Sequence, residues 1–347
     1  MALLTITSPH TVSNTSVQKI MLTVWAATLP GFLALVVFFG WGYLINAILA
    51  VTTALVAEAV IVRLRRRPVW TCLSDGSAML TAWLLALALP PFAPWWVTVV
   101  GVLAAIVFAK HLYGGLGHNP FNPAMVGYAL LLISFPLEMT TRWATPDALL
   151  LDGHSFYIAW TAVFGDLNPL QIDAFTMATP LDTYKYDIAA LTQAEVLQQG
   201  IFAKGYRAYG WEWVSLLYLI GGVVLIFRKV ITWHTPVALL LTLSVMALLF
   251  SWDGDTRVPL SLHLLGGATM LGAFFIATDP VSSATSNRGK LVYGAGIGLL
   301  IYVIRTWGNY PDAVAFAVLL MNFAAPLIDY YTRPRAYGEN TNQREGL

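Results

Sequence analysis

Ten stretches of mostly apolar residues, separated by polar or charged connections, dominate the chain. They lie at roughly 20–40, 42–62, 76–91, 94–110, 123–138, 212–227, 233–250, 262–278, 291–306 and 312–329. A membrane-spanning helix needs about 20 apolar residues, and a helix buried among others can be shorter. The pattern therefore predicts an all-α polytopic membrane protein with about ten transmembrane helices, of which the third and fifth are short enough to be tilted or broken.

The two halves of the chain resemble each other. Residues 76–90 align with 266–280, and residues 123–132 align with 311–320, at offsets of 190 and 188 positions. Five apolar stretches separate the copies, so the copies run in opposite directions through the membrane. This predicts two inverted five-helix repeats, an arrangement common among transporters, although chance similarity between apolar segments is the alternative. The predicted divisions are 1–138 for the first repeat, 139–211 for one long external loop, and 212–347 for the second repeat with a short cytoplasmic tail.

Composition supports a membrane protein and excludes several chemistries. Hydrophobic residues make up 58% of the chain and charged residues 11%, whereas a soluble domain carries about 25% charged residues. The net charge of +1 gives no case for nucleic-acid binding. The single cysteine, Cys72, excludes an internal disulfide and a cysteine-ligated cluster. The six histidines are scattered without ligand spacing, so we predict no metal site.

Basic residues predict the orientation, because Lys and Arg accumulate on the cytoplasmic side. With both termini inside, 13 of the 19 basic residues fall in inner segments. Four others lie in the long loop, where the rule has little force, and Arg257 and Arg305 oppose the assignment. The sequence therefore predicts that both termini lie inside, in the cytoplasm, and that the loop at 139–211 faces outside. The inner basic residues are Lys19, Arg63, Arg65, Arg66, Arg67, Lys110, Arg228, Lys229, Arg288, Lys290, Arg333, Arg335 and Arg344.

Two carboxylates are candidates for an ion pathway. Glu58 lies inside the second apolar stretch, where a charge is costly and usually functional; the alternative is that it reaches toward the basic cluster at Arg63. Asp279 falls at the end of the eighth stretch, where, as for Lys110, the sequence favours solvated anchoring over a functional role. The inner connections 114–123 and 279–289 are rich in glycine and amide residues, and are either re-entrant segments or tight turns.

The long loop carries the motif D-x-x-T-x-A-T-P, in Asp173-Ala-Phe-Thr176-Met-Ala178-Thr179-Pro180. Thr179 is flanked by small residues, and Pro180 biases it toward an extended backbone that would point its side chain outward. No set of nucleophile, base and orienting residue accompanies it. Thr179 therefore suits a residue that is modified better than a catalyst, with an ordinary surface loop as the alternative.

Two other threonines have similar surroundings. Thr269 follows Gly-Gly-Ala, but it lies within a predicted span. Thr285 closes a D-x-x-S-x-A-T segment that begins at Asp279 and fits the pattern as well as Thr179 does. Spacing cannot choose between them; the predicted topology does, because it puts Thr285 inside and Thr179 outside.

These segments, taken together, resemble the D subunit of the Rnf electron-transport complex (also called Rsx) over nearly the whole chain. They are more distantly similar to the B subunit of the sodium-translocating NADH:quinone oxidoreductase. The matching segments are Lys110-His-Leu-Tyr-Gly-Gly-Leu-Gly-His-Asn-Pro-Phe-Asn-Pro-Ala-Met125, Thr179-Pro-Leu-Asp-Thr183, His263-Leu-Leu-Gly-Gly-Ala-Thr-Met-Leu-Gly-Ala-Phe-Phe275, Thr278-Asp-Pro-Val281 and Pro326-Leu-Ile-Asp-Tyr-Tyr-Thr-Arg-Pro-Arg335.

The resemblance implies a covalent FMN, joined by a phosphoester bond to the last threonine of an S/T-G-A-T-like motif, here Thr179. Asp173, Thr176 and Ala178 are the supporting motif residues, and Met177 stands where the family has glycine. It implies a bacterial inner-membrane location with the loop at 139–211 in the periplasm, and a flavin transferase that acts outside the inner membrane. A second, non-covalent flavin is left open.

The resemblance also implies a subunit that is not catalytic alone and works within a translocase-class oxidoreductase complex. The complex couples electron flow to Na⁺ or H⁺ movement. The chain has no ferredoxin-type cysteine run or nicotinamide fingerprint, so its electrons must come from and go to other subunits. The inverted repeat alone also allows a channel or secondary transporter with no redox role, and a third possibility is a structural anchor for redox partners.

Overall fold

The computed structural model describes residues 16–146, 155–165, 172–188, 190–202, 208–250, 258–308, 310 and 313–333. Regular structure in these ranges is helical, apart from one isolated antiparallel bridge between Ala144 and Thr176. The all-α class predicted from the apolar pattern is confirmed for this part of the chain.

Seven helices lie in the described residues from 16 to 141. They are α1 (Val17–Phe39), α2 (Gly42–Leu64), α3 (Val69–Leu73), α4 (Ser77–Ala88), α5 (Trp95–His111, with π-helical turns at Ala104–His111), α6 (Pro123–Ser134) and α7 (Pro136–Thr141).

The described parts of the loop and the second half contain the remaining helices. They are α8 (Phe156–Phe164), α9 (Pro180–Asp187), α10 (Gln193–Val196), α11 (Trp211–Phe227), α12 (His234–Phe250), α13 (Leu260–Leu265), α14 (Thr269–Leu271, continued by a π-helical turn at Gly272–Ile276), α15 (Asn287–Trp307) and α16 (Val314–Thr332).

Four of the described helices, α1, α2, α15 and α16, are long and apolar enough to cross a membrane. Five more apolar helices, α4, α5, α6, α11 and α12, have 10–17 residues. The chain is therefore a multi-pass membrane protein by helix length and composition. Each predicted apolar stretch contains helix, whereas the ten-span inverted repeat stays a prediction.

The fifth and eighth stretches are not single helices. The fifth breaks at Phe135, between α6 and α7, because the ring of Pro136 disfavours helical geometry in the residue before it. The eighth, expected to span 262–278, breaks at Gly266 and Gly267, where two residues of low helix propensity adjoin. The sequence indicated a possible break in the fifth stretch but not in the eighth.

Side chains hydrogen-bond to the carbonyl groups that the break between α13 and α14 frees. The Thr269 hydroxyl donates to the His263 carbonyl at 2.6 Å, and the Arg305 guanidinium donates to the same oxygen at 2.7 Å. The Ser215 hydroxyl donates to the Leu265 carbonyl at 3.0 Å. A broken helix at membrane depth is tolerated where neighbouring side chains satisfy its backbone in this way.

Close helix pairs build the bundle. A Cβ added at Gly294 or Gly298 of α15 would lie 2.4 Å from the carbonyl oxygen of Thr235 or Leu239 in α12. These two glycines, one turn apart, let the backbones of α12 and α15 touch, as small residues commonly do between membrane helices.

The long loop has a structure of its own. Helix α8 is apolar and packs against α2, with the rings of Phe156 and Trp41 6.2 Å apart, although the sequence predicted a polar loop here. A separate small core packs α9, α10 and the described loop residues after them together, and it reaches α13 through Leu262. It comprises Leu181, Tyr184, Val196, Ile201, Phe202, Ala208 and Leu262.

Candidate functional site

Main-chain pairing holds the loop motif in place. The Met177 amide donates to the Trp143 carbonyl at 3.0 Å, and the Thr145 amide donates to the Phe175 carbonyl at 2.9 Å. The segment then reaches Thr179, whose backbone is extended (φ −66°, ψ 158°) as Pro180 predicted. Thr179 therefore lies at the junction between a paired extended segment and the first turn of α9.

The Thr179 hydroxyl does not point freely outward, contrary to the expectation from the sequence. It donates to Asp182 Oδ2 at 2.7 Å and accepts from the Asp182 amide at 3.3 Å. Thr179 is thus the N-cap residue of α9, and Asp182 occupies the third helical position. Sequence analysis missed Asp182, although hydroxyl and acidic residues three positions apart are the signal of this capping arrangement.

The other motif residues have different surroundings. Asp173 and Ala178 are exposed, while Thr176 and Met177 are half-buried. Met177 does not adopt a positive φ angle, so its backbone conformation does not require the glycine that the family pattern has at this position. The departure from the motif therefore costs no backbone strain here.

Thr179 lies on the wall of an open cavity, which we call the Thr179 cavity. Cofactor and ligand sites are concave and mostly apolar, with a few polar groups, and this lining fits that description. It comprises Leu35, Tyr43, Leu87, Ala88, Met125, Tyr128, Leu132, Met139, Thr140, Trp143, Thr179, Leu181, Asp182, Trp211, Val214, Ser215, Tyr218, Gly266, Gly267, Ala268, Leu271, Ile276, Tyr310, Val314 and Ala315.

One face of α11 forms a wall of this cavity. Trp211, Val214, Ser215 and Tyr218 recur at helical spacing and all line it. Seven residues of helix rise about 10 Å, so the wall runs that far from Trp211 at the loop end to Tyr218 within the bundle. The cavity connects the loop motif with the interior of the membrane helices.

The break between α13 and α14 forms another part of the wall. Gly266, Gly267 and Ala268 line the cavity with little side-chain volume. A Cβ at Gly267 would lie 2.7 Å from Leu181 Cδ1 on α9. The absence of a side chain at Gly267 therefore lets α9 dock closely and brings Thr179 to the cavity.

We expect Gly267→Ala to push Leu181 away, destabilise the docked loop by about 1–3 kcal/mol, and impair any modification of Thr179. Leu181→Val removes the methyl group that clashes, so the double variant Gly267→Ala/Leu181→Val should recover much of the loss. Limited proteolysis of the loop measures docking. If Gly267→Ala left protease sensitivity unchanged, Gly267 would not be what positions α9.

Lys185 anchors the other end of α9. Its ammonium group donates to the Gly308 carbonyl, just beyond α15. Burial lowers the pKa of Lys185, and the nearby Asp182 carboxylate opposes that shift. Helix α9 is thus fixed to the second half of the chain at Gly267 and at Gly308.

The two alternative threonines differ from Thr179 in their environments. Thr269 is fully buried, and its hydroxyl is engaged with the His263 carbonyl. Thr285 is exposed, and its amide donates to both carboxylate oxygens of Asp329, at 2.9 and 3.2 Å. Neither residue lines the Thr179 cavity.

Glu58 belongs to a buried charged cluster. Its Oε1 lies 2.5 Å from Lys110 Nζ and 3.2 Å from His111 Nε2, and Lys110 also donates to the Ser77 hydroxyl at 2.7 Å. The side chain does not turn to the basic cluster at Arg63; Arg65 instead donates to the His111 carbonyl. Lys110 is 2% exposed, so the expectation of solvated anchoring was wrong for this residue.

Asp279 lines a second cavity together with Lys110, Ser77 and Asn122. Its Oδ2 accepts from the Ser282 hydroxyl at 2.6 Å. The structure thus brings Lys110 of the Glu58 cluster and Asp279 to one cavity. A role for Glu58 and Asp279 in an ion pathway stays a prediction.

Arg305, one of two basic residues that opposed the orientation rule, is buried and binds the His263 carbonyl at the end of α13. A cation at a helix C-terminus is stabilised by the helix dipole. Arg305 therefore has a structural reason for its position. Arg257, the other exception, lies outside the described residues.

Comparison with known proteins identifies the family of the chain. The D subunit of the ion-translocating oxidoreductase complex of Marinobacter nauticus is 55% identical over 344 residues, covering 99% of this chain and 98% of that protein. The corresponding subunit of Aliivibrio salmonicida is 51% identical over 349 residues, covering 97% and 99%. That of Vibrio vulnificus is 52% identical over 352 residues, covering 95% and 98%. Residues 4–338 match the family described as NQR2, RnfD, RnfE, and the chain belongs to this family.

Proposed function

We propose that the chain is the flavin-bearing membrane subunit of an ion-translocating oxidoreductase complex, with FMN attached through a phosphoester to Thr179. The relatives named above are subunits of such a complex. The observation that carries the proposal is that Thr179, in the loop motif, lies on the wall of a mostly apolar cavity that reaches the bundle interior.

The residues around Thr179 fit an attached flavin nucleotide. The cavity wall offers aromatic and aliphatic side chains for a flat ring, including Trp143 and Trp211, whose rings are 5.6 Å apart. A phosphate on Thr179 would lie at the N-terminus of α9, where the helix dipole favours negative charge. A flavin isoalloxazine ring supplies one- and two-electron redox chemistry when bound, while the protein places and tunes it.

Asp182 prepares Thr179 for attachment. Its carboxylate accepts the Thr179 hydroxyl hydrogen at 2.7 Å and so orients the oxygen. In attachment, the Thr179 oxygen bonds to the FMN phosphorus of a flavin dinucleotide held by a transferase. The bond between the two phosphates breaks, adenosine monophosphate leaves, and the hydroxyl proton passes to Asp182 or to water.

A covalent tether explains how a cavity that is open to water can hold a flavin ring. A ring held by a short linker stays at high effective concentration near its site even when the cavity opens to water. Other subunits of the complex would supply electrons to the bound ring and accept them from it. Their transfer is coupled to movement of Na⁺ or H⁺, in which Glu58 and Asp279 take part.

Peptide mapping tests the proposal. Mass spectrometry of the purified full-length chain should show the addition of FMN less one water on the peptide that contains Thr179. The denatured chain should fluoresce as a flavin in a gel. A chain without bound flavin would contradict the proposal and favour a channel or secondary transporter with no redox role.

We also expect α9 to face the periplasm and the start of α15 to face the cytoplasm. Tyr186 on α9 and Asn287 on α15 are both exposed. In a Cys72→Ser background, Tyr186→Cys should react with a membrane-impermeant thiol reagent in intact spheroplasts, while Asn287→Cys should react only after lysis. The reverse labelling would overturn the orientation and, with it, the choice of Thr179 over Thr285.

A further inference from the structure

We infer that the Tyr218 hydroxyl is a hydrogen-bond donor to the flavin ring, deep in the Thr179 cavity, and so a positioning and tuning residue. The inference rests on the proposed attachment of FMN at Thr179. Tyr218 lines the cavity about two helical turns below Trp211 on the same face of α11.

The buried hydroxyl of Tyr218 lacks a hydrogen-bond partner among the described residues. The residue as a whole is 4% exposed. Leaving such a group unsatisfied costs about 1–3 kcal/mol, so buried tyrosine hydroxyls usually find partners. A ligand that supplies an acceptor would remove this cost.

Packing holds the Tyr218 ring in place. A Cβ at Gly31 of α1 would lie 2.4 Å from Tyr218 Cε1, and the Phe275 ring lies 5.9 Å away at an angle of 69°. A ring wedged between α1 and the π-helical turn after α14 cannot swing to find another partner. The position of the hydroxyl is therefore fixed.

A flavin tethered at Thr179 matches this arrangement. Its phosphate and ribityl chain would run from the loop into the cavity, and its ring would lie against the largely apolar walls. The pyrimidine edge of the ring carries carbonyl oxygens and a ring nitrogen that accept hydrogen bonds. These atoms gain negative charge on reduction, so a donor there stabilises the reduced form and raises the reduction potential.

Tyr218→Phe should therefore move the midpoint potential of the attached flavin to a more negative value. At fixed potential, we expect the ratio of reduced to oxidised flavin to fall roughly two- to tenfold, the worth of one neutral hydrogen bond. Spectroelectrochemical titration of the purified full-length chain measures this shift. Subtracting the Thr179→Ala chain isolates the attached flavin from any other.

Thermal unfolding provides a second readout, arranged as a double-mutant cycle. Tyr218→Phe should lower the unfolding midpoint of the flavin-bearing chain. In the Thr179→Ala chain, which has no attached ring, it should leave the midpoint unchanged or raise it. Tyr293→Phe is the matched control, since the Tyr293 hydroxyl is already bonded to the Asn322 side chain at 2.5 Å, and it should lower the midpoint equally in both backgrounds.

The outcomes separate this inference from the proposed function. If FMN maps to Thr179, but Tyr218→Phe shifts neither the midpoint potential of the flavin nor the unfolding midpoint of the flavin-bearing chain relative to the Thr179→Ala chain, the inference is wrong and the attachment site stands. The same holds if Tyr218→Phe lowers the unfolding midpoint equally in both backgrounds, since the hydrogen-bond partner of the Tyr218 hydroxyl would then be water or protein. If no FMN maps to Thr179, the proposed function fails and the inference fails with it.

Discussion

Thr179→Ala should abolish the covalent flavin completely, because a phosphoester cannot form without a side-chain hydroxyl. Thr179→Ser should keep part of it, since serine retains the hydroxyl and can cap α9 as threonine does. Losing the cap costs about 1 kcal/mol in the alanine variant, too little to prevent insertion of the chain. The measurement is in-gel flavin fluorescence after denaturation, followed by peptide mapping. Electron transfer through the assembled complex should also be lost.

The matched controls are the two threonines that resemble Thr179 in sequence. Thr285→Ala and Thr269→Ala should leave the covalent flavin intact, the first because Thr285 is predicted to face the cytoplasm. Thr269 is fully buried and bonded to the His263 carbonyl, so no transferase can reach it. Flavin found on either residue, or a Thr179→Ala chain that still fluoresces after denaturation, would falsify the attachment site.

The second large effect is expected in the buried cluster around Glu58. Lys110→Met removes the cation 2.5 Å from Glu58 Oε1 and leaves a carboxylate that is 2% exposed. Removing one partner of a buried ion pair costs about 3–5 kcal/mol, whereas replacing both partners by apolar or neutral groups is often nearly neutral. Lys110→Met should therefore lower the thermal unfolding midpoint strongly, and Glu58→Gln/Lys110→Met should recover most of the loss.

The same double variant tests the ion pathway. If Glu58 takes part in transport, the stable double variant should bear covalent flavin yet move fewer ions per electron in reconstituted complexes. Unchanged transport per electron would assign Glu58 and Lys110 a purely structural role. If the double variant were as unstable as Lys110→Met alone, the unpaired Glu58 carboxylate would not be the cause of the lost stability.

Periodicity and composition alone identified much of this protein. The helical class and the apolar stretches follow from hydrophobicity, since a chain in lipid must satisfy its backbone within helices. The extended backbone of Thr179 followed from Pro180, a local steric effect. These features depend on neighbours in the chain, so the sequence was sufficient to predict them.

Other features depend on residues far apart in sequence, and only the tertiary structure revealed them. The break at Gly266 and Gly267 was not predicted, and Ser215 and Arg305, both distant in sequence, bind the carbonyl groups that it frees. Lys110 was expected to be a solvated anchor, but the fold places it against Glu58, 52 positions earlier. The unpartnered hydroxyl of Tyr218 becomes visible only when α1, α11 and the turn after α14 close around it. Local steric effects and hydrophobicity depend on neighbouring residues, so they can be predicted from a single sequence. Burial, pairing and cavities depend on which helices pack together, and no short sequence pattern specifies this packing.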